Sequence, residues 1–199
     1  CIKKQLHGEA YLVRFADDFL IMFQYERDAQ RVYEAIIKRM ELFGLELSKE
    51  KTRILPFGRY SASRETFDFL GFTHFNSKTR KGYYSVGHKI SRKKKKQFKS
   101  NLKKWVKENR NTQFDEFMKA LNKKLTGSFN YYSLSGMIRE VRSLWIHSLY
   151  VTFKWLNRRS QRRSFKLERF YEIWNVRIIH PYIHVDIWSG DKVIYNKNV

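Results

Sequence analysis

An α+β fold is predicted for this 199-residue chain, and three observations predict it. Up to about residue 90, short runs rich in aromatic and β-branched residues alternate with turn residues, as antiparallel strands do. Beyond that point apolar residues recur at steps of three and four, the helical period. Hydrophobic residues make up 42% of the chain and aromatics 17%, enough for a real core and unlike a charged disordered tail.

The first element is a hairpin. Tyr11–Phe15 and Phe19–Phe23 are apolar runs separated only by Ala16, Asp17 and Asp18, which places acidic residues at a tight tip. A helix is expected from about Asp28 to Phe43, with Ala29, Val32, Ile36, Met40 and Phe43 along one face, Asp28 as its cap and Gly44 as its stop. Leu45-Glu46-Leu47 is a short alternating segment before the polar run Ser48–Thr52. Phe67–Phe72 reads as a strand or hairpin in which Gly71 permits a bulge or a close backbone approach. Phe75 and Tyr83–Val86 read as the arms of another hairpin around the turn-rich stretch Asn76–Gly82.

Three helical faces follow: Phe98, Leu102 and Trp105; then Phe114, Phe117, Leu121 and Leu125; then Ile138, Val141, Trp145, Leu149, Thr152 and Leu156 within Ser135–Asn157. Gly127 is expected to separate two helices. Ile178–Trp188, rich in β-branched and aromatic residues and containing Pro181, is expected to be extended.

Charge narrows the partners. The formal net charge is +22, from 41 Lys and Arg against 19 Asp and Glu. Residues 1–90 hold 16 basic and 11 acidic residues, whereas 91–199 hold 25 and 8, a net +17. Such a field gathers polyanions, so the second half is the expected grip on nucleic acid. No run of apolar residues is long enough to span a membrane, and no signal peptide pattern opens the sequence. With a single cysteine, Cys1, neither a disulfide framework nor a cysteine-based zinc site is expected, and a reducing interior such as the cytoplasm fits.

Adjacent carboxylates at the tip of an apolar hairpin are poor packing and good magnesium ligands, since that ion takes carboxylate and phosphate oxygens. Phosphoryl transfer to a primer end uses two such ions about 4 Å apart. A turn rich in Asp for purely structural reasons is the alternative.

The succession of segments resembles group II intron reverse transcriptases and maturases. Phe15-Ala16-Asp17-Asp18 is similar to the tyrosine-alanine-aspartate-aspartate box of reverse transcriptases, with Phe in place of Tyr. A helix, then Leu45-Glu46-Leu47-Ser48-Lys49-Glu50-Lys51-Thr52, then Phe67-Asp68-Phe69-Leu70-Gly71-Phe72 follow in the family's order. Leu121–Gly127 with Phe129-Asn130-Tyr131-Tyr132, and Trp155–Ser164, resemble the thumb or maturase region and its basic stretch. The resemblance implies a partial antiparallel palm in 1–90, a helical thumb or maturase RNA-binding bundle in 91–165, and an extended tail in 166–199. It implies Asp17 and Asp18 as Mg2+ ligands, Lys51 near the leaving pyrophosphate, and Phe69, Leu70 and Gly71 as the primer grip. For Lys51 the alternative is a solvated loop lysine; for the grip, a core strand.

The implied partners are intron RNA, an RNA template with its DNA primer, and deoxynucleoside triphosphates. Candidate phosphate contacts are Arg92, Lys93, Lys94, Lys95, Lys96, Lys99 and Lys103, and the sharper group Arg158, Arg159, Arg162 and Arg163, whose guanidinium forks suit phosphate and unpaired bases. Tyr131 and Tyr132 are either base-stacking platforms or core, with core expected for at least one. His180 and His184 flank Pro181, which argues against a helical zinc pair. The family's fingers and its other metal-binding aspartate precede this hairpin, and only ten residues precede Tyr11 here. An upstream half of the same polypeptide is therefore an expected partner, and the lone chain is expected to be catalytically incomplete. A module that binds RNA without synthesis is the other reading, and a basic architectural protein a third that leaves the acidic hairpin unexplained.

Overall fold

The computed structural model describes residues 5–48, 50–159 and 164–187. It is a mixed α+β protein, as expected, with two small sheets and five helices among the described residues. The chain divides into two compact units, one of Cys1–Leu70 with His74–Gly87 and the other of Gly71–Thr73 with His88–Val199.

In the first unit β1 (Ala10–Phe15) and β2 (Asp18–Phe23) form an antiparallel hairpin in the register Phe15↔Asp18 to Ala10↔Phe23. Helix α1 (Glu26–Leu42) packs on β2 and buries Ala29 and Val32. Its C-terminus closes as a Schellman motif: Gly44, at φ 66°, donates to Glu41 O, and Leu45 N donates to Met40 O. Gly44 ends the helix as the sequence predicts, whereas Asp28 does not begin it. Tyr25 occupies the cap position without a side-chain bond, and the Asp28 carboxylate turns instead to the backbone of His7 and Gly8. Phe43, expected on the buried face, is 67% exposed, because the helical stripe outruns the hairpin that covers it.

Strands β3 (Thr66–Phe69), β4 (Phe72–Lys78) and β5 (Tyr84–Ile90) form a three-stranded sheet in that order. Gly71 therefore serves a two-residue turn and not a bulge: Leu70 and Gly71 both have positive φ, 51° and 82°, as a tight hairpin turn requires. Asn76, expected in a turn, lies in β4. Its side chain accepts from Gly58 N and Tyr84 Oη and donates to Ser63 O, which ties the irregular stretch before β3 to the sheet.

The second unit holds α2 (Arg92–Asn109), α3 (Phe114–Tyr132), α4 (Ile138–Leu156) and α5 (Leu167–Arg177). Leu102, Val106, Phe117, Leu121, Leu125, Phe129, Val141, Leu144, Leu149, Leu156, Phe170 and Trp174 form one buried cluster. Every buried residue on α2, α3 and α4 recurs at helical steps, so the periodicity read from the sequence is the periodicity of this core.

Two expectations fail here. Gly127 sits inside α3 and breaks nothing, since a solvated helix glycine costs only about 1 kcal/mol against the packing of Leu121, Leu125 and Phe129. The expected tail of 166–199 begins instead with α5, whose Phe170 and Trp174 are fully buried. Residues 178–187 form no further helix and are pinned where Val185 bridges Leu134 and where Ile179 N donates to Asn122 Oδ1. No helix among the described residues is long and apolar enough to cross a membrane.

Candidate active site and nucleic-acid interface

The acidic tip is built by a two-residue turn, Ala16-Asp17, between Phe15 and Asp18. Ala16 takes φ 54°, a left-handed conformation that costs a residue bearing a Cβ about 1–2 kcal/mol. Arg14 Nε donates to Ala16 O at 2.9 Å and braces the turn. Asp17 is the second turn residue and Asp18 opens β2, so the sequence places one carboxylate in the turn and its neighbour at a strand end. Both are exposed, and neither forms an ion pair among the described residues. Leu70 takes the same geometry at φ 51°, so Ala16 adopts the conformation that a two-residue hairpin turn requires.

The donor type fits magnesium: two hard carboxylate oxygen ligands are available at an open tip. By themselves they would supply only part of a coordination sphere, and among the described residues no group of three His, Cys, Asp or Glu could hold a metal ion. Lys51 lies in the turn closed by Lys51 N and Thr52 N on Ser48 O, and it is exposed. No hydrogen bond or ion pair among the described residues joins it to Asp17 or Asp18. Phe69 ends β3 and is half-buried, and Leu70 and Gly71 form the turn after it.

Residues 2–74 match the family model for reverse transcriptase (RNA-dependent DNA polymerase). The likeness covers the hairpin, α1, the Lys51 turn and the Phe69–Gly71 turn, and it ends in β4, before helices α2 to α5. No curated protein matches the chain.

In the second unit α2 opens with Ser91 as its cap, the Ser91 hydroxyl accepting from Lys94 N. Its first turn carries no acidic residue at all, although a helix N-terminus favours negative charge. Arg92, Lys93, Lys94 and Lys96 crowd there against the helix dipole, an arrangement that a bound polyanion relieves. Lys95 is different: its Nζ lies 3.0 Å from Glu140 Oε2 on α4, and both side chains are about two-thirds buried. Lys95 is a packing contact first. Lys99 is half-buried beside His147, whose imidazole is held below its ordinary value by burial and by the Lys99 charge. Lys103 is exposed.

Arg158 and Arg159 follow the last turn of α4, their amides bonded to Trp155 O and Leu156 O. Arg158 is exposed. Arg159 is half-buried; burial lowers its affinity for the proton, and its Nε and Nη2 have no hydrogen-bond partner among the described residues. Arg162 and Arg163 lie outside the described residues. Tyr132 packs edge-on against Phe72 and is partly buried, while Tyr131 stacks on Phe72 at 5.6 Å and remains 52% exposed. His180 stacks on Trp145, and its Nε2 lies 3.0 Å from Asn175 O, a structural setting.

Sequence reading overlooked Lys107 and Arg110. Both lie over Trp155, and the signal was available: Arg92, Lys96, Lys99, Lys103, Lys107 and Arg110 recur at steps of four and three. The dense run at the start of α2 masked a seam that continues along the whole helix.

Proposed function

We propose that this chain is part of an RNA-directed DNA polymerase of the group II intron reverse transcriptase and maturase kind, whose helical half binds structured intron RNA. The observation that carries the reading is the strained Ala16-Asp17 turn, which sets two adjacent solvated carboxylates at the tip of an apolar hairpin inside the matched segment. Asp17 and Asp18 would hold magnesium beside the primer end. Bound there, the ion would stabilise charge on the transferring phosphoryl group. Lys51 would neutralise the leaving pyrophosphate, and Phe69, Leu70 and Gly71 would seat the primer terminus. Residues 91–165 would grip intron RNA and template through the basic seam of α2.

Two carboxylates do not complete such a site, and the reading includes a further polypeptide segment carrying another acidic ligand. Its support is physical: Leu12 and Val13, on opposite faces of β1, are 63% and 43% exposed, and Tyr11 and Phe15 are exposed as well. A strand this apolar on both faces is made to be covered.

A second reading, an RNA-binding module without synthesis, is favoured by the absence of a third ligand among the described residues. Manganese, used as a paramagnetic substitute for magnesium, separates the two. It should broaden the amide signals of Ala16–Phe19 in the wild-type chain and not in the Asp17→Asn, Asp18→Asn double variant. Equal broadening in both would remove the metal role and leave the binding module.

A further inference from the structure

We infer that Lys107, Arg110, Arg158 and Arg159 form one preassembled site for a phosphate group of a nucleic-acid backbone, at the end of the seam on α2. This rests on the reading that the helical half binds nucleic acid, and it adds where that strand is held most firmly.

Three cations from two helix ends converge on one indole. Lys107 Nζ, Arg110 Cζ and Arg158 Cζ lie 5.8, 5.5 and 5.4 Å from the centroid of the Trp155 ring. Like charges gathered this closely repel, and among the described residues no carboxylate pairs with any of them. The ring's quadrupole holds them in place without neutralising them. Both flanking helices end here, α2 at Asn109 and α4 at Leu156, and their carbonyl ends favour the cations. Arg159 adds unmet demand, with Nε and Nη2 buried and unpartnered among the described residues. Buried guanidinium donors left unmatched are costly, and an anion reaching them removes that cost.

Asn157, the C-cap of α4, is tied to Phe165 through both ends of its amide. Asn157 Oδ1 accepts from Phe165 N at 2.8 Å, and Asn157 Nδ2 donates to Phe165 O at 3.1 Å. Arg158 follows this cap directly, with its Cζ over the Trp155 ring. Guanidinium forks in a fixed array match phosphate oxygens better than a single carboxylate does. The seam identifies the source of the phosphate. Arg92, Lys96, Lys99, Lys103, Lys107 and Arg110 share one face of α2 over about 27 Å, at 1.5 Å per residue. A ligand that meets all six carries charges in a row, as a nucleic-acid strand does and a free anion does not.

The test uses the full chain and a short unstructured RNA oligonucleotide, with inorganic pyrophosphate as the free-phosphate arm. Affinity is measured across salt for the wild type, for Lys107→Gln with Arg110→Gln and Arg158→Gln, and for a control with Lys119→Gln, Lys123→Gln and Lys154→Gln. All three control lysines are exposed on α3 and α4. The site variant should lose at least tenfold in RNA affinity, and its salt slope should fall by about 0.7, the share of one phosphate contact on a single strand. The control should lose less than threefold.

Equal losses in the two variants would overturn the site in favour of a diffuse field. Pyrophosphate bound at Trp155 while RNA affinity ignores the site variant would overturn the nucleic-acid source. Should the triple variant melt early, Trp155→Phe and Arg159→Lys take its place, with the RNA-induced change in tryptophan fluorescence expected to vanish in the first. Wild-type chain that fails to bind any RNA sinks the proposed function; wild-type binding with a harmless site variant sinks this inference alone.

Discussion

The Asp28 carboxylate receives the backbone amides of both His7 and Gly8, at 2.9 and 3.0 Å, and its other oxygen lies 3.1 Å from His7 Nδ1. At 1% exposure, this side chain fastens the segment before β1 to the first turn of α1. Burial pushes its carboxyl up, but the bonds from the His7 ring, the Gly8 and His7 amides and the His7 charge outweigh it and hold the carboxyl below its ordinary value.

A group whose folded value is lowered stabilises the protein above its unfolded value and loses that contribution as pH falls through the folded one. Asp28 therefore stabilises the first unit at neutral pH and ceases to do so in acid, below the ordinary carboxylate range near 4. Asp28→Asn should melt earlier at pH 7 and show a flatter decline on acidification. Parallel pH curves for the two proteins would show that Asp28 is not the linked group.

Strain at the hairpin tip makes its own prediction. Ala16→Gly should relieve the left-handed φ and stabilise the hairpin by about 1 kcal/mol, whereas Ala16→Val should cost about 1–2 kcal/mol or more. Hydrogen exchange of the Val13 and Leu20 amides, paired across β1 and β2, reads this directly. Slower exchange in the valine variant would contradict the turn geometry.

Lys95 and Lys96 are neighbours with different duties. Lys95→Ala, which breaks the contact with Glu140, should cost up to about 1 kcal/mol of stability and leave RNA affinity little changed. Lys96→Ala should do the reverse. Denaturation and RNA titration of the two variants check this, and identical behaviour would mean that the run acts only as bulk charge.

Gly127 offers the simplest gain. A methyl group built there meets nothing within 4 Å, and the backbone is helical, so Gly127→Ala should stabilise the helical unit by about 1 kcal/mol. A lower melting point in calorimetry would show that the glycine is needed after all.

How far the sequence discloses this protein depends on whether the signal is local. The acidic hairpin, α1 with its Gly44 stop, and the stripes on α2, α3 and α4 were legible because each rests on a period or a turn within a few residues. Gly127 misled because propensity is weak where Leu121, Leu125 and Phe129 bury a whole face. Helix α5 was missed because its apolar surface is narrow, chiefly Phe170 and Trp174 four residues apart. Asn76 and Asp28 took roles set by distant partners, which no local pattern encodes. The arginines after α4 stand out in the sequence by their density; the placing of Lys107 and Arg110 over Trp155 depends on helical register and on a residue of α4.

Primer extension on an RNA template with magnesium reads whether Asp17 and Asp18 form part of a polymerase metal site. Three samples suffice: the chain alone, the chain with a polypeptide supplying reverse transcriptase fingers and a further metal-binding aspartate, and that mixture with Asp17→Asn. Synthesis is predicted in the second sample only, because positioning and the full ligand set carry most of phosphoryl-transfer catalysis. Synthesis that survives Asp17→Asn would contradict the account.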